Sequence, residues 1–409
     1  MVNRTSLGTS LDTALDAPLD AVIAGARVID PTHGIDETLD IGIGNGRIAR
    51  LGRDLARTAG AAAVHDAAGA IALPGLIDLH THVYHKATSY GVDPDAVARR
   101  SLVTTMVDAG SAGAGNYAGL ADFVIGRAAT RVLAFLNISF PGIFAFDRRV
   151  MVGEAAHRAL LDVPRCVEEA RRHADSVVGI KVRLGGAVSG EVGLEALDRA
   201  IEAAALLALP VMCHVGRPPP GYAEIVDRLR AGDILTHCFR PAPNAPVDDA
   251  GHVLPSLRRG RQRGVLFDIG HGMGAFGFAS ADAAIAEGFL PDCISSDVHG
   301  LSVDGPAFDL LHTMNKLLNC GLGLSDVVRM VTVAPAQALR RPDLGHLGVG
   351  ACADVALLKP VDVALRFTDA AGVQRDGVRL LKPLALWRGG RHHAPLPRPW
   401  ELPREGAAA

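Results

Sequence analysis

The run GLIDLHTH at residues 75–82 sets His80 and His82 two positions apart. In a strand such a pair points to one face, so two imidazoles can share one metal ion. A second run, VVGIKVRL at 177–184, carries Lys181 among apolar residues. An unpaired buried ammonium is costly, so Lys181 must reach the strand end, pair with a carboxylate, lose its proton or be chemically modified. A neutral lysine amine can add carbon dioxide to give a carbamate, which turns a cation into a bidentate oxygen ligand able to bridge two metals. VMCHVG brings His214, and ILTHCF brings His237, to the ends of two further apolar runs; CISSDVHG places Asp297 at the same level of another. Asp297 can both bind a metal and accept a proton from activated water. Each residue alone has an ordinary structural explanation, but together they are six potential ligands from five runs. Four imidazoles with two oxygen ligands suit divalent Zn, Mn or Co better than calcium.

For these side chains to meet, the runs that carry them must end side by side. Eight strand-like runs, at 76–82, 104–109, 132–138, 179–184, 211–215, 234–238, 264–269 and 293–297, alternate with helical stretches. Parallel strands need a crossover between them, and this alternation predicts an α/β fold, a closed (β/α)8 TIM-like barrel over residues 73–342, whose strand C-termini form the chemical mouth. Asp162 ahead of Pro164 predicts a helix start, and the apolar residues at 194, 197, 201, 205 and 208 predict a helix packed on the barrel wall. Ser280 and Ser325 are expected helix caps, and Pro335 is expected to end or kink the last barrel helix. Residues 20–72 and 343–395 are instead β-rich, with short alternating stretches and turn signals such as Asn45-Gly46, and can pair into one small sheet domain.

The chain has 409 residues, 49% apolar, with a formal net charge of only -3. That balance gives no concentrated basic surface for nucleic acid or an anionic membrane. The opening residues MVNRTSLGTS lack the apolar run of a secretory signal, and no apolar stretch approaches the roughly 18 residues of a bilayer span, so a cytoplasmic protein is expected. The six cysteines form no CxxC pair, which argues against a disulfide framework or structural zinc and for small buried hydrophobes.

PGLIDLHTH at 74–82, GIKVRL, ILTHCF and ISSDVH together resemble the amidohydrolase superfamily over residues 20–395. The stretch from Gly91 to Asp108-Ala109-Gly110, HVGRPPP at 214–220 and FDIGHG at 267–272 resemble more closely its dihydroorotase-like deacetylase branch, with enzymes that act on N-acetyl-D-amino acids and acetylated (R)-mandelate. The resemblance implies that His80, His82 and Asp297 bind the more buried of two metal ions, that His214 and His237 bind the outer one, and that a carboxylated Lys181 bridges them. It also implies that the two β-rich flanks make one small β-sandwich and that homo-oligomers are common. The expected reaction is hydrolysis of an acyl amide or ester of a small carboxylic acid. The alternative is a cyclic amidase of the dihydroorotase or hydantoinase type. Relatives with cyclic substrates carry an arginine shortly after HxH, where this chain has Val83 and Tyr84.

Substrate contacts are less sharply marked. Arg183 shares a strand face with Lys181 and can pair with a substrate carboxylate or brace the metal shell. His271 in GHGMG and His299 beyond Asp297 can touch substrate or steady the ligands. Tyr84, Tyr90 and Met273 can line an acyl or side-chain pocket or simply pack. The Pro- and Asp-rich stretch 240–251 is expected over the mouth. A noncatalytic barrel is the remaining class of reading, and it gives no reason for six ligands.

Overall fold

The computed structural model describes residues 18–398; the opening segment in which no secretory signal was read lies outside them. Five strands come first: β1 (Ala21–Asp30), β2 (Ile35–Gly44), β3 (Arg47–Gly52), β4 (Ala63–Asp66) and β5 (Ile71–Pro74). The barrel strands are β6 (Leu76–Thr81), β7 (Val103–Gly113), β8 (Arg131–Asn137), β9 (Val177–Leu184), β10 (Val211–Val215), β11 (Ile234–Thr236) and β12 (Leu266–Asp268), followed by β13 (Val355–Thr368), β14 (Gln374–Arg388) and β15 (Arg391–His393).

β6 to β12 lie side by side in chain order, all parallel. β6, β7 and β9 are buried along their whole length, as strands covered by helices outside and packed side chains inside must be. The crossover helices obey local chemistry. Asp93 caps Pro94–Ser101, and Asp162 caps Val163–Arg172 by accepting from the Arg165 amide. The helix Glu195–Leu207 buries mostly alanines, Ala196, Ala200, Ala203 and Ala204, which lets it sit close to the strands. Met212 and Ile234 lie two residues before His214 and Thr236 on the same strand faces, so an apolar floor underlies a polar mouth.

Several boundaries differ from expectation. The eighth run forms no regular strand. Isolated parallel bridges, Asp268 with Cys293 and Thr81 with Val298, close the barrel there. Asp78 supplants part of the ladder by accepting from the Ser296 amide at 2.9 Å and the Ser296 hydroxyl at 2.5 Å. Ser280 and Ser325 fall inside helices Phe278–Ala286 and Leu324–Val331, whose caps are Gly277 and Gly323. The break expected near Pro335 falls at Thr332, because the proline ring excludes the carbonyl four residues back and opens the next helix, Val333–Ala338, instead.

The two β-rich flanks do pair. One eight-stranded sheet runs β15-β14-β13-β5-β1-β2-β3, with β4 also on β1. A register shift between Ile23 and Ala26 lets the first half of β1 pair with β4 and the second with β5. Ile23, Ile41, Ile43, Ile48, Leu357 and Trp387 share a core separate from that of the barrel. β13 and β14 are far longer than the short stretches expected. They run through Pro360 and Pro383, and Pro383 lies beside the register irregularity at Leu357/Leu358, where a missing N–H is tolerated. Among the described residues no helix is long and apolar enough to cross a membrane. All six cysteines are free, and Cys166, Cys213, Cys238 and Cys293 are buried.

Candidate metal centre and its mouth

The six expected ligands converge at the C-terminal end of the barrel. His80 Nε2 and His82 Nε2 each lie 3.2 Å from Asp297 Oδ1, and these three residues offer ligand atoms within 4.8 Å of one another. Lys181 Nζ stands 3.4 Å from His80 Nε2. His237 Nε2 and His214 Nδ1 meet at 2.6 Å, and the His237 ring centre is 5.2 Å from that of His80. His237 and Asp297 lie just past their apolar runs with φ of 75° and 48°. Non-glycine residues rarely adopt this left-handed conformation, and where they do it re-aims a side chain at a cost concentrated in functional sites.

Partners behind the ring fix the imidazoles. Thr236 Oγ1 donates to Asp268 Oδ2 at 2.7 Å and therefore accepts from His80 Nδ1 at 2.8 Å. His80 Nε2 then turns a lone pair toward a carboxylate oxygen 3.2 Å away, with Lys181 Nζ 3.4 Å off as the donor at hand, and a cation shared between the two acceptors fits this arrangement. His237 Nδ1 donates to the Gly270 carbonyl at 2.6 Å, and His82 Nδ1 is 2.9 Å from Ser111 Oγ. Burial pushes the pKa of His82 and of His237 down to about 3, and it carries His80 and His214 well below the usual histidine range. Neutral imidazole is the form that binds a metal. Burial likewise draws the Lys181 ammonium down to about 8, against the pull of the Asp297 carboxylate. Lys181 is fully buried, and the donor set around it fits divalent ions.

Two glycines make the packing possible. A Cβ on Gly110, at φ +83°, would lie 2.6 Å from the Cβ of Lys181. A Cβ on Gly272, at φ +52°, would lie 2.2 Å from Asp297 Oδ2. Gly272→Ala therefore has to move the carboxylate as well as strain its own backbone. We expect kcat to fall about 100-fold with the fold retained, measured as steady-state rates beside a thermal melt; an unchanged rate would mean that the position of Asp297 is not critical.

Of the expected substrate contacts, Tyr90, Arg183 and His299 line a tight cavity over the ligands, together with Ile143 and Phe146. Met273 lines a wider chamber that continues from it. Tyr84 does neither: it packs in the barrel core, and its hydroxyl donates to the Asn116 carbonyl. His271 is buried as a brace, accepting from Lys316 at Nε2 and donating from Nδ1 to the Gly272 carbonyl. Lys316 uses its other protons on the Pro306 and Thr368 carbonyls. Of the stretch 240–251, Arg240, Pro241 and Ala242 reach the chamber wall. Sequence reading missed Phe146, whose ring lies 5.1 Å from the Arg183 guanidinium, and Glu154, 3.6 Å from Arg183 Nε. Both sit in the loop after β8, where no periodic pattern marks them.

A parallel barrel whose strand ends gather imidazoles, a carboxylate and a buried lysine defines the class of barrel hydrolases with a metal-capable mouth. The chain belongs to the amidohydrolase family, whose model matches residues 71–381. It is 36% identical over 340 residues to a deacetylase of Agrobacterium fabrum, covering 83% of each chain. Among solved structures it resembles one described as an adenine deaminase, with TM-score 0.85, 30% identity and coverage of 92% of this chain and 99% of that one. Another, described as a dihydroorotase, gives TM-score 0.84 and 33% identity, covering 91% and 97%.

Proposed function

We propose that this protein is a binuclear metal-dependent deacetylase that hydrolyses an acyl amide or ester of a small carboxylic acid. The observation that carries the reading is the convergence of His80, His82 and Asp297 beside the His214–His237 pair, with buried Lys181 between them. Likeness to a deacetylase over most of both chains supports the reaction class. When bound, two divalent ions, Zn with Mn or Co as substitutes, supply Lewis acidity to the scissile carbonyl and acidify water. His80, His82 and Asp297 would hold one ion and His214 and His237 the other. Lys181, as the carbamate formed with carbon dioxide, would contribute one oxygen to each.

Within this frame Asp297 accepts the proton of the attacking water and returns it to the departing nitrogen or oxygen. Tyr90, Phe146 and His299 wall the tight cavity and keep solvent from the reacting carbonyl. Arg183 sits on the same wall, its charge shared with Glu154. The barrel and the sheet domain divide near residues 73 and 342, and the partner is a small molecule.

The test is the initial rate of the metal-replete protein on matched N-acetyl-D-amino acids, N-acetyl-L-amino acids, acetylated 2-hydroxy acids and cyclic imides. A strong rate on one linear chiral series is expected. Turnover of rings alone would move the assignment to a cyclic amidase.

A further inference from the structure

Beyond the ligand ring the mouth opens into a chamber of about 430 Å³, reached past His214, Asp297 and His299. Its wall carries two guanidiniums, Arg217 and Arg240, and among the described residues its one acid is Asp297 at the metal end. Arg217 is exposed, whereas Arg240 is only 7% exposed. Arg240 Nη1 donates to the Val215 carbonyl, and its Nε has no hydrogen-bond partner among the described residues. No carboxylate forms an ion pair with Arg240 among those residues, whereas Arg183, whose Nε likewise makes no hydrogen bond among them, faces Glu154 at 3.6 Å. An uncompensated buried charge of this kind is expensive and is found where a ligand completes it.

The two arginines sit on separate loops, Arg217 after β10 and Arg240 after β11, and buried polar contacts tie those loops together. Buried Asn244 donates to the Gly216 carbonyl at 3.0 Å and the Pro220 carbonyl at 3.2 Å and accepts from the Tyr222 amide at 2.8 Å. It thereby ties the turn bearing Arg217 to the segment bearing Arg240. Ser280 adds a bond to the Arg240 carbonyl at 2.9 Å.

We propose that this chamber is the subsite for the substrate's carboxylate and that Arg240, rather than Arg183, is the residue that selects it. The inference rests on the deacetylase reading and adds the end of the substrate that points away from the metals. A carboxylate accepts two parallel bonds from a guanidinium, and an uncharged amide of the same shape cannot match that charge. Arg217 contributes field at the outer rim, and Met273 gives the acid's side chain an apolar contact.

The experiment compares N-acetyl-D-alanine with N-acetyl-D-alaninamide in the wild type, Arg240→Met, Arg240→Lys and Arg183→Met proteins, all metal-replete. Wild type should favour the acid, and Arg240→Met should raise KM for the acid about 50-fold while leaving the amide and kcat nearly unchanged. Arg240→Lys should recover part of the loss, which a purely structural role for Arg240 would not predict. Calorimetric binding of both compounds to the Asp297→Asn protein, with and without Arg240→Met, reads the same preference without turnover. Selectivity that survives Arg240→Met, or that disappears in Arg183→Met instead, would overturn the proposal. Absent hydrolysis across every linear acylated acid of the panel, with carboxylate affinity still tied to Arg240, would overturn the deacetylase reading and uphold the subsite.

Discussion

Asp297→Asn is expected to lower kcat by about 10³- to 10⁴-fold on whichever acyl substrate the wild type turns over best, with little change in thermal stability. The substitution keeps the shape of the side chain. It removes the negative charge from the Oδ1 that stands 3.2 Å from both His80 Nε2 and His82 Nε2, and it removes the proton acceptor. The amide can still ligate through its oxygen, so metal content by elemental analysis should fall less than the rate does. The backbone of Asp297 stays fixed in either case, because its amide donates to the His80 carbonyl at 2.7 Å. A variant that keeps more than a tenth of the wild-type rate with full metal content would show that another group moves the proton. The groups nearest to hand are poor substitutes: burial holds His299 down at about 4, and the Tyr90 hydroxyl is already donated to the Ile143 carbonyl.

How far the sequence could be read follows from what leaves a local trace. The strand runs did, because a doubly covered parallel strand is apolar throughout, and a polar residue at its end stands out; His80, His82, Lys181, His214, His237 and Asp297 were all legible for that reason. The eighth run misled only in form: its backbone bonds to both neighbours are scattered, and the Ser296 amide goes to the Asp78 side chain, a partner that periodicity does not encode. Tyr84 looked equivalent to Tyr90, but it is turned into the core by a bond to the Asn116 carbonyl that lies 32 residues away in the chain. Lys316 gave no signal at all. It occupies a helix, Leu310–Asn319, whose composition is ordinary, and its three acceptors come from three distant segments. Glu154 and Arg240 belong to loops, where spacing says little and only the fold decides which side chains face the mouth.

Lys181→Met should be the single change most damaging to metal binding, because it is expected to remove a metal ligand and leave nothing of similar chemistry to replace it. Lys181 is fully buried, with its Nζ 3.4 Å from His80 Nε2 and no carboxylate within ion-pairing distance among the described residues. A plain ammonium there would face the imidazoles it is meant to join, and it would repel any cation they bind. Reaction of the neutral amine with carbon dioxide forms a nitrogen–carbon bond, releases one proton and leaves an anionic carbamate, which reverses the sign of the charge at the centre of the site. Gly110 packs so closely that even a Cβ there would meet Lys181 Cβ at 2.6 Å, which confines the lysine side chain at its base. The expected result is a fall in bound metal from two ions per chain to one or none, together with a rate loss of at least about 1000-fold. Protein exchanged into ¹³C-labelled bicarbonate should show one carbamate carbon resonance, absent from Lys181→Met. Adding a short carboxylic acid to Lys181→Ala should restore part of both metal content and rate, because it supplies the missing oxygens from solution. A Lys181→Met protein with two metals and a wild-type rate would mean that the lysine is a buried counter-charge to Asp297, and that the histidines and Asp297 alone build the centre.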